Sequence, residues 1–110
     1  MAYSVWSFLL GRGSVQKNYP KITSQPADVT VAAGERARFS VVADGDDLTY
    51  QWQYSADGGE TWSKSTYTSA TSATLSMTAQ AGWDGYLYRC VISTSSGNAT
   101  ASAPATLTVT

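Results

Sequence analysis

Hydrophobic and polar side chains alternate one by one in several short segments of the chain after residue 21, which is the period of a β-strand with one buried face. Ala37, Phe39 and Val41 fall on one side of such a segment, and Arg36 and Arg38 fall on the other. The alternation recurs in the segments 28–32, 36–41, 48–54, 73–78, 86–92 and 105–109. Six or seven short strands of this kind, separated by turns, predict an all-β sandwich of two packed sheets.

Composition excludes several classes of function. Hydrophobic residues make up 43% and charged residues 14% of the 110 residues, which suits one packed domain. The chain has no histidine and a single cysteine, so on its own it cannot assemble a His/Cys zinc site or a histidine-dependent catalytic pair. A net charge of −1 argues against a nucleic-acid partner held by phosphate contacts, and the longest apolar run, at 8–10, is too short to insert in a membrane. We therefore expect no enzymatic activity and no catalytic, cofactor-binding or metal-binding residues.

Two loops resemble known sites but are expected to be turns. The acidic loop at 44–47 lacks the length and the terminal glutamate of an EF-hand calcium loop. The segment 55–62 matches the S-x-D-x-G-x-T-W pattern, called an Asp box, that recurs in sialidase-type propellers, although here it occurs once in a short chain. Its physics is local, because Asp57 accepts hydrogen bonds from turn amides, Gly59 supplies a positive φ and Trp62 packs on the hairpin.

Four features in order along the chain resemble an immunoglobulin-like domain. They are the second-strand segment 34–45, the tryptophan Trp52, the segment 84–90 that is similar to D-x-G-x-Y-x-C, and the closing strand 105–109. Tyr88, two residues before Cys90, stands at the tyrosine-corner position. The resemblance covers residues 22–110 and is closest in style to modules of bacterial surface proteins and phage virion proteins. It implies an immunoglobulin-like sandwich of about seven strands at 22–110, preceded by an arm at 1–21.

The sequence departs from that family at two positions. Val41 replaces the first core cysteine, so Cys90 has no partner and the core disulfide is absent. The motif glycine is shifted by one position, to Gly85, so the resemblance does not predict the conformation of the turn before the strand at 86–92. A fold without a disulfide suits synthesis in a reducing compartment, and the absence of a recognisable export signal favours the cytosol. The residues expected to form the core are Val41, Trp52, Leu75, Tyr88 and Cys90.

Three aromatic residues lie off the alternating core faces. Trp62 and Tyr67 are candidates for a flat sugar- or protein-binding patch, and Trp83 is a further exposed aromatic residue. The structural alternative is that Trp62 staples its own hairpin and that Trp83 covers the bottom of the sandwich. Both interpretations stay open at the level of the sequence.

The first 21 residues carry the strongest functional signal. They hold basic residues and no acid, for a charge of +3 against −4 in the remainder. Several large apolar side chains lie outside a domain that is already complete, and burying each would stabilise it by roughly 1.5–3 kcal/mol. We expect this arm either to pack on its own sandwich or to insert into a partner, with the polar segment 11–19 favouring reach to a partner. The expected partner-binding residues are Tyr3, Val5, Trp6, Phe8, Leu9, Leu10, Arg12 and Lys17.

These features predict a non-enzymatic phage virion protein, such as a capsid decoration protein or a head or tail accessory protein. The arm would bind other virion proteins, and the domain would be displayed for stabilisation or weak adhesion to a glycan or protein of the host cell surface. A homo-oligomer on the particle is a further candidate arrangement. The alternatives are a module of a bacterial cell-surface adhesin, which would place the chain on the bacterial surface, and a carbohydrate-binding accessory domain.

Overall fold

A computed structural model describes residues 19–110, which form an all-β sandwich. The described chain contains ten short strands and two 3₁₀ helices, at Thr68–Thr71 and Ala81–Trp83. The strands are β1 (Lys21–Ser24), β2 (Val29–Val31), β3 (Arg36–Ser40), β4 (Val42–Asp44), β5 (Thr49–Ser55), β6 (Ser63–Lys64), β7 (Thr74–Thr78), β8 (Leu87–Ser93), β9 (Ala99–Ala101) and β10 (Ala105–Val109). No helix in this part of the chain is long and apolar enough to cross a membrane.

The larger sheet is built on the long antiparallel pair of β5 and β8. Its strand order is β2-β10-β8-β5-β6, and β9 also pairs with β8. In the register of the central pair, Trp52 lies opposite Cys90 and Tyr54 lies opposite Tyr88. Along β8 every second residue is buried, as expected for a strand with one face on a core. β2 joins the edge of this sheet in parallel with β10.

The second layer consists of the antiparallel pairs β1–β4 and β3–β7. β3 and β4 are separated by Val41 alone, so the two pairs follow one another along the same stretch of chain. Val41 still donates its backbone N–H to the carbonyl of Ala73, at 3.0 Å. Phe39 of β3 reaches the opposite sheet, since its ring centroid lies 4.9 Å from that of Tyr88 and 6.4 Å from that of Trp52. The two layers therefore share one core.

The core lies between these layers and holds all five residues that the sequence assigned to it. Val41, Trp52, Leu75, Tyr88 and Cys90 are each at most 3% exposed. Trp52 satisfies its one polar group inside the core by donating its indole N–H to the Ser72 carbonyl, at 2.8 Å. Cys90 is a buried free thiol, as the missing second cysteine predicts.

The ten strands exceed the roughly seven that the sequence predicts. β1 lies before the first predicted segment, 28–32, and was missed; Pro26, which has no N–H to give a ladder, separates β1, which pairs with β4, from β2, which pairs with β10. The second predicted strand is split at Val41. Short partners at the edges, β6 and β9, add the remaining segments. The predicted all-β sandwich of two packed sheets is confirmed.

The two ends of the described domain lie at opposite ends of the sandwich. The carbonyl of Pro20 accepts a hydrogen bond from the Thr100 hydroxyl at 3.0 Å, level with Tyr50 near the start of β5. Val109 donates its N–H to a carboxylate oxygen of Asp84 at 2.8 Å, next to the second 3₁₀ helix. The expected arm residues between 1 and 18 lie outside the described residues, so the arm and its boundary stay predictions.

Candidate functional site

Trp62, one of the two expected recognition residues, is held by its own hairpin. Its indole N–H donates to the Gly59 carbonyl at 3.1 Å, and the guanidinium carbon of Arg89 lies 4.2 Å from the centre of its ring. The Arg89 Nε–H donates in turn to the Gln53 side-chain oxygen at 2.8 Å. One face of the ring is thus occupied by a cation, and its polar atom is satisfied. These contacts favour the structural interpretation of Trp62.

The Asp-box segment behaves as the local turn that its residues predict. Asp57 accepts hydrogen bonds from the backbone N–H of Thr61 at 2.9 Å and from the Thr61 hydroxyl. Ser55, which is 2% exposed, donates its hydroxyl to Asp57 at 2.7 Å and accepts the N–H of Gly59 at 2.9 Å. Gly59 has a φ of +96°, a conformation in which a Cβ would be strained. The hydrogen bonds from Thr61 lower the pKa of Asp57 from 3.8 to about 2, so the turn keeps a carboxylate as its hydrogen-bond acceptor.

Tyr67, the other expected recognition residue, belongs to a different group of rings. It is 37% exposed, and its ring meets that of Trp83 edge to face, with centroids 6.4 Å apart and planes at 89°. Trp83 stacks on Tyr86 at 6.3 Å, and Tyr86 stacks on Tyr54 at 6.0 Å with planes only 7° apart. We call these four residues the aromatic cluster. Their separations and angles are those at which aromatic side chains attract one another.

Four separate elements position the aromatic cluster. Tyr54 lies near the end of β5, Tyr67 immediately precedes the first 3₁₀ helix, Trp83 ends the second, and Tyr86 immediately precedes β8. The carbonyl of Trp83 accepts the N–H of Tyr86 at 3.1 Å, which closes the turn between the last two rings. The sequence did not predict the conformation of this turn, because the motif glycine is shifted by one position to Gly85.

The cluster lines a pocket of about 170 Å³ between the sheets at this end of the domain. Beneath the rings the pocket is lined by Tyr88 and Met77, and at its rim by Ser65 and Thr66. A shallower depression of about 470 Å³ adjoins it, lined by Thr66, Tyr67, Thr68, Gln80 and Trp83. Tyr67 and Trp83 therefore form the wall that the two cavities share.

Tyr88 lines this pocket with a hydroxyl that has no hydrogen-bond partner among residues 19–110. The side chain is 3% exposed, and burial, followed by the nearby phenols of Tyr67, Tyr86 and Tyr54, raises the pKa of Tyr88 well above its ordinary value. The hydroxyl is therefore protonated at neutral pH. A buried polar group without a partner among the described residues is unusual in a folded domain.

Sequence reasoning placed Tyr67 correctly among the exposed aromatic residues but did not find the pocket. Trp62 is not among the residues that line the pocket. By the alternation in segments 48–54 and 86–92, Tyr54 lies on the same face of its strand as Trp52, and Tyr86 on the same face as Tyr88, yet both tyrosines are only half-buried. No signal in the sequence distinguishes an inward-facing residue in the middle of a strand from one at its open end.

Other candidate chemistry has little support in residues 19–110. No group of three or more His, Cys, Asp or Glu side chains in this range is arranged to hold a metal ion. Burial raises the pKa of the Cys90 thiol to about 11, which keeps it protonated and a poor nucleophile at neutral pH. The expected partner-binding residues of the arm all lie outside the described residues.

Comparison with known proteins agrees with this architecture. Endoglucanase C from Cellulomonas fimi is 37% identical over 97 residues, which is 86% of this chain but only 8% of that protein. Among solved structures, the N-terminal Ig1-2 module of the Drosophila receptor protein tyrosine phosphatase DLAR superposes with a TM-score of 0.57 at 24% identity, over 83% of this chain and 48% of that one. An Ig domain complex of titin M10 and obscurin-like 1 gives 0.59 at 22%, over 83% and 93%.

These structural likenesses concern the fold, and domains with this fold are typically non-catalytic. The enzyme among the relatives above is matched over a small part of its length, so its activity does not pass to this chain. The model of the immunoglobulin I-set domain matches residues 20–109, which include every strand described above. The chain therefore belongs to the immunoglobulin I-set domain family.

Proposed function

We propose that this chain is a non-enzymatic structural protein of a phage virion, either a capsid decoration protein or an accessory protein of the head or tail. Residues 1–21 attach it to the particle, and the immunoglobulin-like domain is displayed for stabilisation or weak adhesion. The observation that supports the proposal is the core of the described domain, which residues between Ile22 and Val109 build around Trp52 and Phe39.

We expect the apolar residues of the arm to be buried against a binding partner. Exposed together in water, Val5, Trp6, Phe8, Leu9 and Leu10 would form an adhesive patch, whereas burial in a particle would stabilise each by roughly 1.5–3 kcal/mol. Arg12 and Lys17 would then meet acidic groups of the particle at the junction. Attachment through this segment suits a chain that enters its domain at Pro20, at the end away from the aromatic pocket.

A second candidate is a module of a larger bacterial surface or secreted protein. The specific observation in its favour is the match to Endoglucanase C, in which a region of this kind occupies 8% of a much longer chain. Chain ends at opposite ends of the sandwich also suit domains joined in series. This candidate retains the non-catalytic role and changes the location to the bacterial surface or the medium.

Fractionation of a culture that expresses the chain distinguishes the two. We would quantify its peptides by mass spectrometry in density-purified phage particles, in the cell envelope and in the medium. If the virion proposal is correct, the amount of this chain in purified particles should stand in a constant ratio to the amount of the other particle proteins. The double variant Trp6→Ser, Phe8→Ser should then be released from the particles. Tyr19→Ser is the matched control, because Tyr19 is an aromatic residue that is 50% exposed at the domain entry. Peptides confined to the envelope or medium would support the second candidate instead.

A further inference from the structure

We propose that the pocket beneath the aromatic cluster binds one ring of a neutral oligosaccharide, with the following sugar units lying across the adjoining depression. The proposal concerns the displayed end of the domain and does not depend on what the arm binds. The chemistry of the walls, the absence of charge, the size of the cavity and the position in the fold each support it.

The walls match the two kinds of surface that a sugar ring presents. The C–H faces of a pyranose carry slight positive charge and pack on the electron-rich faces of aromatic rings. Trp83, Tyr86 and Tyr54 form a stacked series whose successive planes differ by 20° and 7°. Tyr67 stands at 89° to Trp83, and both residues line the pocket and the adjoining depression.

Hydroxyl groups of the pocket supply the complementary polar contacts. Sugar hydroxyls need donors and acceptors, and a tyrosine or serine hydroxyl serves as both. The Tyr88 hydroxyl has no partner within residues 19–110 although the residue is 97% buried, and it belongs to the lining of the pocket. Ser65 and Thr66 add hydroxyls at the rim. A ligand hydroxyl would satisfy Tyr88 where the protein does not.

Charge complementarity identifies a neutral ligand. None of the described residues that line the pocket is an acid or a base, and the adjoining depression adds only the amide of Gln80 and the hydroxyl of Thr68 to that lining. A phosphate, a carboxylate or a basic peptide would therefore bury its charge here without a counter-charge, which is unfavourable. A neutral sugar has no such penalty.

The size of the pocket and its position in the fold favour the binding of one ring of a longer oligosaccharide. The pocket, at about 170 Å³, is smaller than the roughly 300–1,000 Å³ of sites for drug-sized ligands. The depression of about 470 Å³ beyond the Tyr67–Trp83 wall leaves room for further units. Tyr54 lies four residues beyond Tyr50 along β5, or about 13 Å from the end at which the chain enters.

Calorimetric titration of the full chain with neutral tetrasaccharides tests the proposal. The probes are cellotetraose, maltotetraose, xylotetraose and tetra-N-acetylchitotetraose, each at millimolar concentration. We expect at least one to bind, and Tyr67→Ala to weaken that binding by roughly tenfold or more. Tyr19→Ala is the matched control, since it removes an exposed tyrosine at the opposite end and should leave the affinity unchanged. Trp62→Ala should also retain binding.

Thermal melting shows whether each variant is folded at the titration temperature, because Tyr67→Ala also removes the edge-to-face contact with Trp83. Failure of all four probes to bind would overturn the proposal. So would an equal loss in Tyr67→Ala and Tyr19→Ala.

Discussion

Tyr88 offers a sharp test of the structure, because its ring and its hydroxyl have opposite expected effects on stability. The ring is buried and stacks on Phe39, with centroids 4.9 Å apart and planes at 22°. The hydroxyl has no hydrogen bond to residues 19–110 and lies at the pocket. At the tyrosine-corner position such a hydroxyl is expected to bond back to the chain. Tyr88→Phe removes the hydroxyl and keeps the ring.

A Tyr88 hydroxyl that is hydrogen-bonded within the protein and one that has no partner predict different effects of Tyr88→Phe on the free energy of unfolding. A hydrogen-bonded hydroxyl contributes about 0.5–1.5 kcal/mol, so its removal would destabilise the domain by that amount. A buried hydroxyl without a partner carries a penalty of about 1–3 kcal/mol, which water in the pocket partly offsets. We therefore expect Tyr88→Phe to leave the free energy of unfolding unchanged or to raise it by up to about 2 kcal/mol. Tyr88→Ala, which also removes the stacked ring, should lower it by about 3–5 kcal/mol.

Urea unfolding followed by tryptophan fluorescence at pH 7 measures both changes. A loss above about 1 kcal/mol in Tyr88→Phe would refute the reasoning, because it would mean that the hydroxyl is hydrogen-bonded within the protein.

The alkaline pH dependence gives a second readout. Burial raises the pKa of Tyr88 in the folded state, so the folded chain keeps a proton that the unfolded chain loses as the pH rises past 10.0. Stability should fall above that pH, and it should fall less steeply in Tyr88→Phe. Equal slopes in the two proteins would contradict the assignment of Tyr88 as a buried phenol.

Three further predictions follow from the core and the hairpin. Trp52→Ala should lower the free energy of unfolding by about 3–5 kcal/mol, since it empties a fully buried site and leaves the Ser72 carbonyl without its donor; a loss below about 1 kcal/mol in urea titration would be inconsistent with that burial. Asp57 has its pKa lowered to about 2, chiefly by Thr61, so its stabilising effect is present above its ordinary pKa of 3.8 and is lost as the pH falls towards 2. Melting temperatures between those pH values should therefore decline less in Asp57→Asn, and identical declines would exclude this role. The Cys90 thiol, buried and with its pKa raised to about 11, should resist iodoacetamide at pH 8 until urea unfolds the domain, and rapid labelling of the native protein would show that the site is open.

Much of the fold is local in origin and was therefore predictable. Period-two alternation places Phe39 and its neighbours Ala37 and Val41 on one face of a strand whatever the remainder of the chain does. The turn at Asp57 is equally local, because its donors lie within four residues of it. The same applies to the absence of a core disulfide, which follows from counting a single cysteine.

The breaks in the strands were not predictable from alternation. Val41 interrupts a strand because the chain changes partner there, and a change of partner is a property of the assembled sheets. The contact between Trp62 and Arg89 was likewise not predictable from the sequence. Its neighbour Arg89 is 27 residues away in the sequence and reaches the ring only because β8 lies beside β5.

By itself the sequence determined the strands, the local turns, the residues available for the core and the classes of chemistry that the chain cannot perform. Tertiary structure alone decided which aromatic residues meet. Tyr54, Tyr67, Trp83 and Tyr86 come from four elements, and strand pairing together with the turn at Trp83 brings them to one end of the sandwich. The physical reason is that alternation specifies which face of a strand is buried. It does not specify where along the strand the opposing layer ends, and at that point an inward-facing ring lines a pocket instead of filling the core.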